Sequence, residues 1–366
     1  MRENTVICSK FKINYTNMLD FSQTNILKVA ITWVGNKELQ EGTVVPKRTL
    51  VTVNEYAHET LLTTFLKPFQ KNEEFFYFHH AEDLSHNAVY QACVQIFADA
   101  ETFSEQAVVL TDRLYNHVTV PKITGGEFFV VLFDAIGVQD ETMPAIGMFK
   151  IVNKDSYLKV EKTPESFALQ VGEGIATGKL ALAALIFGTD EAEGYRIMAT
   201  DSVTKKDTPS VWLTNFLDIQ PIEDHYFNTR HYMQMTSDFI NQKASDAFGL
   251  NPTDKIDLQN RSSFYFKENE NFEVEDFAKS LFPDETHATV FKEFKEQYVE
   301  ATAAPLADQF DISQQAVRKS SKVFKNVIKL DDSFKIYITG SQEWIERGFD
   351  EEKGKTFYKI YFEQEE

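Results

Sequence analysis

Lys179–Phe187 (KLALAALIF), Tyr195–Ala199 (YRIMA) and Val211–Ile219 (VWLTNFLDI) are three apolar runs in close succession, ended by Pro221. Gly188 closes the first, and the acidic turn Thr189–Gly194 leads into the second. Short apolar runs broken by turns predict buried or half-buried antiparallel strands. After Glu223–Asp224 the spacing changes. Tyr226, Phe227, Met233, Phe239 and Ile240 follow a helical period, and a carboxylate at the start can accept from the unpaired N–H groups of a first turn. Gly174–Phe239 therefore reads as three strands, a turn and a long helix.

Upstream, Asn4–Ile13 and Ile26–Val34 read as strands, joined by the polar connection Asp20–Asn25. Helices are expected from Asn54 to Phe69, over Glu82–Phe97, and from Ser104 to about Val120. Strands resume at Glu127–Ile136 after Gly125–Gly126, then at Gly147–Asn153, Tyr157–Lys162 and Phe167–Val171. Their connections are too short for helical crossovers, so residues 125–220 should hold at least five strands of one mostly antiparallel sheet, run as a meander. Downstream, helices are expected at Asp224–Phe248, Lys255–Asn269, Val274–Leu281, Thr286–Ala301 and Ser313–Phe324, with Thr253–Asp254 and Ser313 as caps. Strands at Val327–Leu330, Ser333–Thr339 and Thr356–Phe362 end the chain. The fold class is α+β: an N-terminal antiparallel sheet with helices, then a mainly helical region ending in a small antiparallel sheet. The expected domains are 1–223 and 224–366.

The chain has 366 residues, ample for a large core, and 32 phenylalanines to anchor it. Two cysteines, Cys8 and Cys93, argue against a disulfide framework and a zinc site, so a reducing cytoplasm is expected. No apolar run reaches membrane-spanning length and the first residues lack a signal peptide's apolar stretch. The net charge of −19 repels nucleic acid at long range, so any phosphate-binding surface must be local. Both halves are acidic: residues 1–223 carry 19 basic and 29 acidic groups, residues 224–366 carry 18 and 27.

No constellation of nucleophile, base and orienting group assembles, and phosphate-loop or zinc-protease spacings do not occur. His79, His80 and His86 cluster near Glu82 and Asp83, and read as surface residues around a helix start. Gly172–Glu173–Gly174 reads as a tight turn. Glu268–Asp276 reads as a solvated linker and helix start. No cofactor or metal is expected. One segment opposes the acidic background. Ile312–Leu330 holds Arg318, Lys319, Lys322, Lys325 and Lys329 and no acid. On one helix, Arg318, Lys322, Lys325 and Lys329 would share a face and could follow a phosphate backbone. A solvated face paired with acids elsewhere is the plainer alternative. Asp311–Val317 (DISQQAV) has a weak look of the start of a helix-turn-helix recognition helix.

Several of these segments together resemble the bacterial nucleoid-associated protein family of NdpA/YejK type. They are Gly125–Gly126 before the strand Phe128–Phe133, Tyr195, Asp201, Asn215–Phe216–Leu217–Asp218–Ile219, the helix with Phe239 and Lys243, and Ile328–Lys335 (IKLDDSFK). The helix after Asp224 departs from that pattern, with only Arg230 and Lys243 basic before Phe248. The resemblance implies a cytoplasmic, non-enzymatic protein of the nucleoid that interacts with DNA-processing proteins such as topoisomerases. Two functions follow as expectations. One is binding of DNA, without sequence preference, or of DNA-bound proteins. The other is an acidic adaptor that engages DNA-processing enzymes without touching DNA. Association of the chain with itself stays open.

Overall fold

The computed structural model describes residues 19–364 except 71–73, 139–140, 176–179, 205–208, 283, 303, 325–326, 331–333 and 338–343. The expected strand Asn4–Ile13 lies outside them. The chain forms two compact units, Met1–Ile222 and Glu223–Glu366.

The first unit is built on an antiparallel sheet of nine strands. In chain order they are β1 (Leu19–Asp20), β2 (Ile26–Val34), β3 (Thr43–Val44), β4 (Phe76–Phe78), β5 (Gly126–Val138), β6 (Glu141–Lys150), β9 (Leu182–Phe187), β10 (Arg196–Asp201) and β11 (Ile219–Pro221). β7 (Asp155–Lys162) and β8 (Phe167–Gly174) form a separate two-stranded ribbon. Across the large sheet the order is β11-β4-β10-β9-β6-β5-β2-β3, with β1 also paired to β5. The expected meander is thus interrupted twice. β7–β8 leaves the sheet between β6 and β9, and β4, from early in the chain, inserts between β10 and β11.

Both faces of this sheet are buried. Phe128, Val130 and Leu132 of β5, with Leu182, Ala184 and Ile186 of β9, pack against α2 (Ala88–Ala98) and α3 (Phe103–His117). Their neighbours Phe129, Val131, Phe133, Ala183, Leu185 and Phe187 face the opposite way, in a cluster with Phe65, Leu66 and Phe69 at the end of α1 (Glu55–Leu66). Burial on both sides explains why KLALAALIF carries no polar alternation. β6 begins six residues earlier than expected because Pro144 reads as a strand breaker. Its missing N–H is not needed: the register slips between Phe133 and Ile136 beside it, and its carbonyl accepts from Gly188 N at 2.9 Å.

The apolar run at Val211 is not a strand. Val211–Leu217 is a wide helical turn capped by Ser210, whose Oγ accepts from Leu213 N at 3.0 Å. Trp212, Phe216 and Leu217 all point into the core, a helical spacing that a short, mostly apolar run does not distinguish from a strand. β11 then starts at Ile219.

Several of the family-like motifs are packing devices. A Cβ on Gly125 would collide with the Trp33 ring, and one on Gly126 with the Ile151 carbonyl. Beneath them Lys150 is fully buried, its Nζ donating to Thr124 O at 2.9 Å and Ile151 O at 2.8 Å. Burial lowers its pKa from 10.5 to about 8, against the pull of Glu127 and Glu41. Between about pH 8 and 10.5 the unfolded chain therefore binds more protons than the folded one, and stability rises with pH. A shift of that size corresponds to roughly 3 kcal/mol. Lys150→Met should remove that rise, read as the difference between parent and variant urea midpoints across the window. Equal pH profiles would contradict it.

The second unit is helical. α4 (His225–Asp238) is capped by Asp224, which accepts from Phe227 N at 2.9 Å. A wide turn, Phe239–Lys243, carries it into α5 (Ala244–Phe248), and Gly249 ends it at φ +64°. The long helix of the sequence reading is therefore one rod with a bulge. α6 (Pro252–Glu268) starts one cap earlier than expected, at Asn251, in a capping box with Asp254. Glu268–Asp276 holds a short strand, β12 (Asn271–Glu273), and Glu273 caps α7 (Val274–Leu281). α8 (Glu285–Thr302), β13 (Gln309–Asp311) and α9 (Gln314–Ser320) follow. Much of the phenylalanine content lies here: Phe239, Phe266, Phe272, Phe277, Phe282 and Phe291 pack as one cluster. Two hairpins end the unit, β14 (Val327–Leu330) with β15 (Phe334–Tyr337) and β16 (Ile345–Asp350) with β17 (Lys355–Ile360). β16 was missed because Gly348 reads as a turn. A side chain there would strike the Phe357 ring across the hairpin.

Candidate nucleic-acid interface

The basic segment is positioned by polar side chains of α4. Asn228 Oδ1 accepts from Ala307 N at 2.8 Å, Thr229 Oγ1 from Ser313 N at 3.0 Å, and Ser237 Oγ donates to Val323 O at 3.0 Å. Ser313 caps α9 through Ala316 N at 3.2 Å, and Ala316 and Val317 are buried. These ties fix the stretch from Ala307 to Val323 against one helix.

α9 is shorter than expected. It ends at Ser320, and Val323 N closes a turn on Ser320 O at 2.8 Å. The turn puts Phe324 into the core and leaves the Val323 carbonyl facing Ser237. The five basic residues therefore do not line one helix face. Arg318 and Lys319 lie exposed in the last turn of α9, and Lys322 lies exposed in the turn after it. Lys325 lies outside the described residues, and Lys329 is on β14. A helix C-terminus favours cations, so Arg318 and Lys319 complement their own helix. Lys319 Nζ also sits 5.7 Å from the centre of the buried Tyr226 ring. α9 follows a strand, β13, so the helix-turn-helix expectation for DISQQAV fails.

The hairpin adds a residue the sequence reading missed. Its register sets Lys329 directly opposite Lys335. Like charges directly opposite on paired strands are destabilising. Asp331–Asp332 interrupts the basic run in sequence, so counting a continuous segment stops before Lys335.

The other candidates are local structure. His80 Nδ1 accepts from Glu82 N at 3.3 Å, and His86 Nδ1 lies 3.3 Å from Glu82. Among the described residues no group of three His, Cys, Asp or Glu is placed to hold a metal ion. Gly172 and Gly174 are in β8, not in a turn. A cleft of about 330 Å³ beside Gly125–Gly126 is lined by Trp33, Glu127, Lys154 and Glu173, and Lys154 pairs with Glu127 at 2.5 Å. No helix among the described residues is long and apolar enough to cross a membrane.

A family described as nucleoid-associated protein YejK matches residues 34–363, nearly the whole chain. The chain belongs to that family. No curated protein matches it. Membership in the YejK family supports a nucleoid-associated role. The matched span reaches into both units and includes Gly125–Gly126 at the start of β5, the Asn215–Ile219 motif and all five residues of the basic run.

Proposed function

We propose that this protein is a non-enzymatic, cytoplasmic nucleoid-associated protein that contacts DNA directly, through phosphates, with its second domain. The contacts are assigned to Arg318, Lys319, Lys322, Lys325 and Lys329, extended by Lys335. The observation that carries the reading is the acid-free run of five cations in a chain of net charge −19. Its exposed members sit at a helix end and the turn that follows, where they can reach a phosphate backbone. Phosphate contacts carry no base information, so little sequence preference is expected. The acidity itself favours a second reading, an adaptor that binds DNA-processing enzymes without touching DNA.

Titrating duplex DNA with the full chain by fluorescence anisotropy, at several salt concentrations, separates the two. Each neutralised phosphate contributes about −0.9 to the slope of log K against log salt, so six engaged cations set a limit of roughly −5.4. A slope between about −2 and that limit supports direct contact. Absence of salt-dependent binding favours the adaptor.

A further inference from the structure

Two hairpins of the second unit share one inner side. Leu330 and Ile336 of β14–β15, with Ile345 and Tyr358 of β16–β17, all pack on Ile256 of α6. Side chains alternate across a strand, so the residues between them face away from α6. On β15 these are Lys335 and Tyr337, with Lys329 at the register position opposite Lys335. On the second hairpin Glu346 opposes Lys359, Gly348 opposes Phe357 and Asp350 opposes Lys355. Tyr361 N donates to Trp344 O at 2.8 Å and adds one more pair at the open end. Tyr337, Trp344, Phe357 and Tyr361 are 42–72% exposed.

Two of these rings are held in place. Phe357 lies across Gly348, where a Cβ would strike it, so the ring rests on the strand with its other face to solvent. The Tyr361 hydroxyl donates to Glu346 at 2.9 Å, and Lys359 Nζ lies 4.8 Å from the Tyr361 ring centre. The two acids of this face are answered within the hairpin. Glu346 meets Tyr361 and Lys359, and Asp350 pairs with Lys353 at 3.5 Å. Lys335 and Lys355 are exposed.

We propose that this outer surface binds single-stranded DNA, its rings stacking on unpaired bases and its lysines meeting the phosphates between them. The proposal rests on the DNA-binding reading above and specifies the state of the strand. Every base has a face that an aromatic ring can stack on, so such a surface needs no particular sequence. In a duplex those faces are covered by neighbouring bases, and exposed rings on a sheet find no partner there. Composition disfavours a protein as the occupant. The centre of a protein interface is depleted in lysine, whereas lysines alternate with rings on this face. Along β17 and just beyond it, Phe357, Lys359 and Tyr361 follow at two-residue steps of about 6.6 Å. A base on each ring therefore carries its backbone past Lys359.

Fluorescence anisotropy of the full chain tests this with oligo(dT), and with the same oligomer in a duplex with oligo(dA). The parent should bind the single strand at least about tenfold more tightly than the duplex. That preference should persist as salt rises, because stacking releases no counterions. Trp344→Ala and Phe357→Leu should each weaken oligo(dT) binding roughly tenfold, with duplex binding within about twofold of the parent. Leucine keeps Gly348 covered and removes only the ring. Trp344→Phe keeps a ring and should retain most of the affinity. Circular dichroism should be unchanged in all three, since both side chains are exposed. Oligo(dT), but not the duplex, should quench tryptophan emission in the parent and not in Trp344→Phe. Equal affinity for the two forms, or variants that bind oligo(dT) as the parent does, would overturn the proposal and leave duplex binding by the basic run standing. A parent that binds neither form would overturn both.

Discussion

Asn87→Ala should destabilise the first unit by about 3–5 kcal/mol, the largest stability effect expected of any single substitution discussed for this protein. Asn87 is fully buried. Its Oδ1 accepts from Val89 N at 2.9 Å and Tyr90 N at 3.0 Å, capping α2. Its Nδ2 donates to His79 O at 3.0 Å, Leu217 O at 2.9 Å and Asp218 O at 3.1 Å. One side chain thus joins the start of α2, the chain leaving β4, and the left-handed residue Asp218 (φ 51°) that ends the wide turn. Truncation removes a cap, worth about 1 kcal/mol. It also takes the donor from the His79 and Leu217 carbonyls, at about 1–3 kcal/mol for each group left without a partner, while Asp218 O keeps its bond from His79 N.

Asn87→Ser separates these contributions. Serine can cap α2 but cannot reach the three carbonyls, so it should recover only about 1 kcal/mol of the loss. Urea unfolding followed by tryptophan emission is a suitable probe, because Trp212 is buried in the turn that Asn87 holds. An Asn87→Ala midpoint indistinguishable from the parent would show that water replaces the side chain and that the hub assignment is wrong.

Asn87 also shows where the sequence was readable and where it was not. β2 and α7 were legible to the residue, since alternation and caps are local signals. The α+β class followed from the same signals. Val211–Ile219 reads as a strand because six apolar residues in nine fit a buried strand and a buried helical turn equally well. Only the Ser210 cap and the distant Asn87 contact distinguish them. The separation of β7–β8 from the sheet was not legible either: its alternating pattern is that of a half-buried strand, and nothing local says that the apolar side lacks a cover. For the interface, the charges were legible and their support was not. Asn228, Thr229 and Ser237 look like ordinary helix residues, yet their hydrogen bonds reach about eighty positions along the chain to fix the basic segment. They also explain why the row bends: a helix continued past Ser320 would carry Phe324 and the Val323 carbonyl away from their partners.

Arg318→Glu combined with Lys322→Glu should lower DNA affinity roughly a hundredfold at low salt and flatten the salt slope by about 2. Both side chains are exposed, on the last turn of α9 and the turn beyond it. Removing two phosphate contacts accounts for the slope change, because each engaged cation releases about 0.9 of a counterion. Reversal rather than removal adds repulsion, which enlarges the low-salt effect. An acid at a helix C-terminus is itself unfavourable by about 0.3–1 kcal/mol, so the Gln pair at the same positions is the control for folding. The Gln pair should give the same change in slope with a smaller loss of affinity. Lys335→Gln should flatten the slope by about 1 more if the position opposite Lys329 is engaged. Lys279→Glu, exposed on α7 and outside the basic run, should leave the slope unchanged. The loss should be the same on DNA of different sequence, since phosphates are alike everywhere on the duplex. If the Glu pair binds as the parent does while the parent remains salt-dependent, DNA is held by another surface. The basic run is then a solvated helix end, with Arg318 answering only the dipole of α9.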